Sequence, residues 1–314
     1  MIETSFQVLL ADYTNRSILL ADIPSGKITC EIPHTPSVSP VSVVLTGDKK
    51  TAYIPSAGDN GSGLLFALSL DSASLYQLPL TLPHPAQFAL APDAKTAYLA
   101  AINGQLFQLD LTTLALKQWG QMPDDACCTG IAASPEQVFT IWQYAEGGSL
   151  VVFDTEGHLQ KQLPLPGIPT CLVLTAKNQI LITYSAGALK SEGLVIFPKP
   201  DKAASIVVTI QCAECRRGVK VYPNYLVLSP DQTLAYVVNE DSSSLTTVDI
   251  NRGTVTGCIP VGHSLSQITL SPDGRFAVGA SNVFADLCLI DLVNRRLLSV
   301  TDTGRELSGF IASA

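Results

Sequence analysis

The chain has 314 residues, 46% of them apolar and 15% charged, with a formal net charge of −8. So apolar a composition excludes a disordered chain. The acidic balance, with no Lys/Arg run, argues against a nucleic-acid partner, which needs a clustered basic face.

The opening residues Met1-Ile2-Glu3-Thr4-Ser5 lack the basic region, apolar core and small-residue cleavage site of a secretory leader. As written, the sequence reads as cytoplasmic, and removal of a leader would make it exported or cell-surface. No apolar run reaches the roughly eighteen residues of a membrane span. Without an export signal, the eight cysteines are expected to be free thiols or metal ligands rather than a disulfide framework.

Along the chain one short pattern returns. Strands are predicted at Phe6-Gln7-Val8, Thr51-Ala52-Tyr53-Ile54, Thr96-Ala97-Tyr98-Leu99, Gln137-Val138-Phe139, Gln179-Ile180-Leu181, Leu234-Ala235-Tyr236-Val237 and Phe276-Ala277-Val278. Their third residues (8, 53, 98, 139, 181, 236, 278) are spaced by 45, 45, 41, 42, 55 and 42 residues. Periods of this size mark propellers and related arrays.

Before the anchor strand comes a turn, as in Ala91-Pro92-Asp93, Ser229-Pro230-Asp231 and Ser271-Pro272-Asp273-Gly274, where Pro presets φ. After it comes an alternating strand ending in Asp22, Asp110, Asp154, Asp249 or Asp291. An Asp there suits a turn cap, with the carboxylate accepting nearby backbone N–H groups, rather than acid/base chemistry. A fourth strand, such as Thr254-Val255-Thr256-Gly257-Cys258-Ile259, leads into a Pro/Gly-rich link. Four strands per period make a propeller blade.

The first strand of the chain matches the second strand of a unit, and Leu307-Ser308-Gly309-Phe310-Ile311-Ala312 matches the first strand of one. The 36 residues after Val278 and the 8 up to Val8 together fill one normal period. The expectation is therefore an all-β fold: a single seven-bladed β-propeller of four-stranded antiparallel blades over residues 1–314. N-terminal strands and the C-terminal strand close it in one shared blade, which removes exposed strand edges.

The sixth period, with Leu228-Ser229-Pro230-Asp231, Tyr236-Val237-Val238-Asn239, Thr247-Val248-Asp249 and Ile259-Pro260-Val261-Gly262, resembles the YVTN-repeat propellers, a YncE-like and WD40-like group. Proteins that look similar at this level include surface-layer modules, lactonase-type hydrolases and propeller dehydrogenase subunits, so the resemblance implies a fold and leaves function to the site. Periods four and five depart most from the pattern. Pro198 replaces the strand-ending Asp in the fifth, which also carries an insertion at about 210–222.

Function is sought on the face where links between blades surround the channel, because ligands prefer concave mouths with convergent polar groups. Cys127 and Cys128 enter blade four, Cys171 enters blade five, and Cys212 and Cys215 form a CxxC in the link to blade six. That spacing suits one metal, with neighbouring thiolates completing a tetrahedral site, while the plain alternative is small buried hydrophobes. No other cofactor is expected.

The same link carries Arg216, Arg217 and Lys220, a local basic patch able to dock an anionic ligand or acidic partner, or simply a solvated loop. His34, His84 and His263 also fall in such links, as ligand-binding candidates or ordinary loop histidines. No nucleophile elbow, phosphate loop or haem motif occurs.

The leading expectation is a non-catalytic scaffold, monomeric by default, that binds a protein partner or small ligand on this face near blades four to six. The alternative is an enzyme. It is either a lactonase-type hydrolase with scattered residues such as Glu146, Arg216, Glu240 and Arg305, or a metal or redox protein using the cysteines.

Overall fold

In a computed structural model the chain is described over residues 5–12, 15–35, 38–122, 126–145, 147–186, 191–199, 205–211, 220–281, 283, 285–305 and 307–313, with backbone only for 308–313. The strands form seven antiparallel sheets, each of one blade, arranged as a seven-bladed β-propeller. Among the described residues no helix is long and apolar enough to cross a membrane.

Blade four shows the pattern: Cys127–Ala133 innermost, then Gln137–Tyr144, Gly147–Asp154 and Leu159–Leu165 outermost. The two middle strands are buried on both faces because neighbouring blades cover both sides, so they read as near-continuous apolar runs such as Leu150-Val151-Val152-Phe153. The outer strand has one wet side and alternates exposed with half-buried residues. Blade two departs from the pattern, with its inner strand split into Val38–Pro40 and Val44–Leu45, both paired to Thr51–Gly58.

Closure is direct. Leu307–Ser313 pairs antiparallel with Phe6–Asp12, which continues through Ser17–Ile23 to Lys27–Pro33, so the ends of the chain build one blade. The apolar cores tell the same story: among the described residues there are seven clusters, each lying between two neighbouring blades. A row of seven blades has six such interfaces, whereas a ring has seven. The seventh joins Val8, Leu10 and Leu19 of blade one to Phe276, Val278 and Leu289 of blade seven, with Leu307 against it.

An ion-pair cluster fastens the same seam. The Arg305 guanidinium reaches Asp12 Oδ2 at 3.3 Å and Glu31 Oε2 at 2.8 Å, and Asp12 is fully buried. Asn15 donates to Asp12 from its backbone N–H and its side-chain amide, both at 2.9 Å. Arg305 therefore holds the shared blade together, a structural duty that sequence reasoning had set beside possible catalytic roles.

The strand-ending aspartates cap turns as expected at four of five positions. Asp110 accepts the Thr112 and Thr113 N–H groups at 2.7 and 2.9 Å, and these donors hold its carboxyl below the usual range. Asp154, Asp249 and Asp291 accept backbone N–H groups of their turns in the same way. Asp22 differs, its Oδ1 accepting the Gln7 side-chain amide at 2.9 Å.

Candidate functional site

The inner strands of blades four, five and six each carry a β-bulge. Register shifts fall between Cys128 and Gly130, Pro169 and Cys171, and Pro223 and Tyr225, leaving Thr129, Thr170 and Asn224 unpaired within their strands. Bulges re-aim side chains, and they cluster beside active sites. Here each freed side chain turns to the next blade. Thr129 Oγ1 donates to the Pro169 carbonyl at 3.0 Å, Thr170 Oγ1 to that of Pro223 at 2.7 Å, and Asn224 Nδ2 to that of Ser266 at 3.4 Å.

These three residues line two cavities at once. One, of about 350 Å³, is the central channel, walled by inner strands of blades two to seven and including Ser42, Gln87, Cys171 and Tyr225. The other, of about 460 Å³, opens at the channel mouth over blades four to six and is lined by Gln143, Ser185, Glu192, Lys220, Tyr222 and Asp241 besides the shared three. Its size suits a small ligand.

Glu192 is the keystone of the mouth. Only 8% exposed, its carboxylate accepts the backbone N–H groups of Val221 at 2.6 Å, Tyr222 at 3.2 Å and Ala186 at 3.4 Å. It thereby ties the link entering blade six to the loop of blade five. A buried carboxylate needs such donors to offset its lost hydration.

Across the mouth, Glu240 donates its backbone N–H to the Tyr222 carbonyl at 3.0 Å, and its Oε2 accepts Asn224 Nδ2 at 2.9 Å. Burial, and then the neighbouring Asp241 carboxylate, hold the Glu240 carboxyl above its ordinary value. Asp241 and Lys220 both line the mouth, so charged groups of opposite sign face the cavity beside its neutral polar side chains.

The residues singled out from sequence fare unevenly. Lys220 lines the mouth, and Glu240 joins it through Asn224. Arg216, Arg217, Cys212, Cys215 and Glu146 lie outside the described residues. The histidines belong to separate links. His34 is buried against Phe66, ring centroids 4.1 Å apart, with Ser56 Oγ 3.0 Å from Nε2, and burial lowers its pKa. His84 contributes its backbone, donating to Gly61 and accepting from Ile102. His263 Nδ1 lies 2.9 Å from Asp286 Oδ2.

Among the described residues, Cys127, Cys128 and Cys171 do not come together. Consecutive strand residues face opposite ways, so Cys127 is exposed while Cys128 packs into the core between blades three and four. Cys171 packs into the core between blades five and six. Burial pushes the Cys128 thiol up to about 12 and the Cys171 thiol up to about 11, which keeps both protonated at neutral pH. Among the described residues no three His, Cys, Asp or Glu side chains come together in a metal-holding group.

Glu192, Tyr222, Asn224 and Asp241 were not legible as site residues. Asn224 had a signal: it occupies the place in its period that Thr129 and Thr170 hold in theirs, and it alone of the three adds a bond to a carboxylate.

No family model matches the chain, and no curated protein matches it in sequence. Solved structures share its fold. The periplasmic gluconolactonase of Pseudomonas aeruginosa is similar over 99% of both chains, with a TM-score of 0.77 and 18% identity. A protein from Lactobacillus plantarum is similar over 99% of this chain and 100% of its own, with a TM-score of 0.76 and 16% identity. Hydrazine synthase of Kuenenia stuttgartiensis is similar over 91% of this chain and 92% of its own, with a TM-score of 0.74 and 16% identity. At these identities the likeness is one of fold: the chain is built as a seven-bladed β-propeller of the architecture that these proteins share.

Proposed function

We propose that the protein is a lactone hydrolase working at the channel mouth over blades four to six. This reverses the order of the two readings that the sequence suggested. The observation that carries it is the Glu240 carboxyl group, held above its ordinary value and bonded to Asn224, which lines the polar cavity. The fold shared with a gluconolactonase adds support by analogy only.

In the mechanism, Glu240 takes a proton from water as the water oxygen bonds to the lactone carbonyl carbon, and the carbonyl electrons move onto its oxygen. The Lys220 ammonium stabilises that oxyanion. Collapse re-forms the carbonyl and breaks the ring C–O bond, and the departing alkoxide takes the proton back from Glu240, so lactone and water give one hydroxy acid. Asn224 fixes the Glu240 carboxylate, and Glu192 fixes the link that carries Lys220.

The test is hydrolysis of a panel of five- and six-membered lactones followed by alkali uptake at constant pH. A general base contributes roughly 10²–10⁴-fold, so Glu240→Gln is expected to lose at least about a hundredfold in kcat. Wild-type rates equal to the uncatalysed reaction across the panel would defeat the proposal and return the mouth to a ligand-binding role without chemistry.

A further inference from the structure

We infer that the mouth takes a cyclic, polyhydroxylated ligand whose ring lies on the face of Tyr222. This rests on the hydrolase reading for its placement at the mouth and names the substrate class of that site.

Tyr222 is the residue whose backbone the fold strains to put a ring there. Its φ is +52°, a left-handed conformation costly for an aromatic residue. Among the described residues, the ten other non-glycine residues with positive φ all sit in hairpin turns inside blades, where tight turning demands it. Tyr222 alone sits in a link between blades. Strain of this kind persists only where surrounding contacts over-determine it, and such positions cluster at ligand clamps.

Those contacts are on both sides. Glu192 accepts the Tyr222 N–H at 3.2 Å from blade five, and Glu240 donates to the Tyr222 carbonyl at 3.0 Å from blade six. Tyr222 is 37% exposed and lines the cavity. Burial, followed by the Glu240, Asp241 and Glu192 carboxylates, raises the phenol pKa, so its hydroxyl stays a hydrogen-bond donor.

The same cavity is lined by Thr129, Gln143, Thr170, Ser185 and Asn224, neutral groups whose oxygens can accept from a ligand's hydroxyls. An aromatic face carries negative charge density and attracts the polarised C–H groups of a sugar-like ring, while the neutral side groups suit its hydroxyls.

The experiment is calorimetric titration with 1,5-anhydro-D-glucitol, a cyclic polyol that cannot be hydrolysed, alongside lactone kinetics. Tyr222→Phe is expected to keep the affinity within about threefold, because the ring remains. Tyr222→Gly is expected to weaken polyol binding at least tenfold and raise KM for a hydroxylated lactone. It should also raise Tm by about 1–2 °C by relieving the left-handed strain, which a variant that merely misfolds would not do. The inference is overturned if Tyr222→Gly binds the polyol as wild type does, or if the wild type hydrolyses plain lactones but binds no polyol. Polyol binding without any lactone turnover upholds it and defeats the hydrolase reading instead.

Discussion

Replacing Arg305 by Met keeps the aliphatic stem and removes the guanidinium that bridges the two ends of the chain. Two interactions vanish. Glu31 is half-exposed, at 39% for its side chain, so that pair is worth only about 0.5 kcal/mol. Asp12 is fully buried, and losing a charged partner there costs about 2 kcal/mol, less than for an isolated buried charge because Asn15 still donates to it twice.

The loss is therefore about 2.5 kcal/mol. At roughly 2.1 cal/mol/K per residue, the unfolding entropy of a 314-residue chain is about 0.66 kcal/mol/K, which converts the loss to a fall in Tm of about 4 °C. Differential scanning calorimetry at pH 7 measures it. Adding Asp12→Asn to Arg305→Met removes the stranded charge and should recover about half the loss. An Arg305→Met variant melting within about 1 °C of wild type would refute the reasoning, because the seam would then not depend on this clamp.

Glu192→Ala orphans three backbone donors and is expected to cost about 3 kcal/mol and to raise KM, measured by melting and lactone kinetics together. The raised Glu240 pKa sets the pH profile: the base form is lost as pH falls, so the acid limb of kcat/KM lies above the ordinary glutamate value, and Asp241→Asn moves that limb to lower pH. In thiol titration at pH 8, Cys127 should react at once, whereas Cys128, Cys171 and Cys288, pushed up to about 12, 11 and 12, react only on unfolding. Cys127→Ser should then remove one fast thiol and Cys128→Ser none.

The ring was legible because its signals are local and repeated. Pro-Asp turns, apolar runs doubly covered by neighbouring blades and a fixed period all act within about 45 residues, and the phase of the two ends followed from counting. The mouth was legible only by region. Lys220 and Glu240 were named, yet Glu192 and Tyr222 act through backbone bonds between links about 30 residues apart, and nothing in either residue's neighbours announces that pairing.

Cys127, Cys128 and Cys171 enter adjacent blades in sequence, but strand alternation and the blade interfaces bury Cys128 and Cys171 in two different cores. Asn224 shows what a repeat can still reveal: its departure from the threonines of blades four and five coincides with the carboxylate it holds.

The most direct measurement is a crystal structure of Glu240→Gln soaked with a hydroxylated six-membered lactone. The account predicts intact lactone in the mouth over blades four to six, its ring against Tyr222 and its carbonyl oxygen toward Lys220. Lactone held at any other place on the ring, with the mouth unaltered, would contradict it.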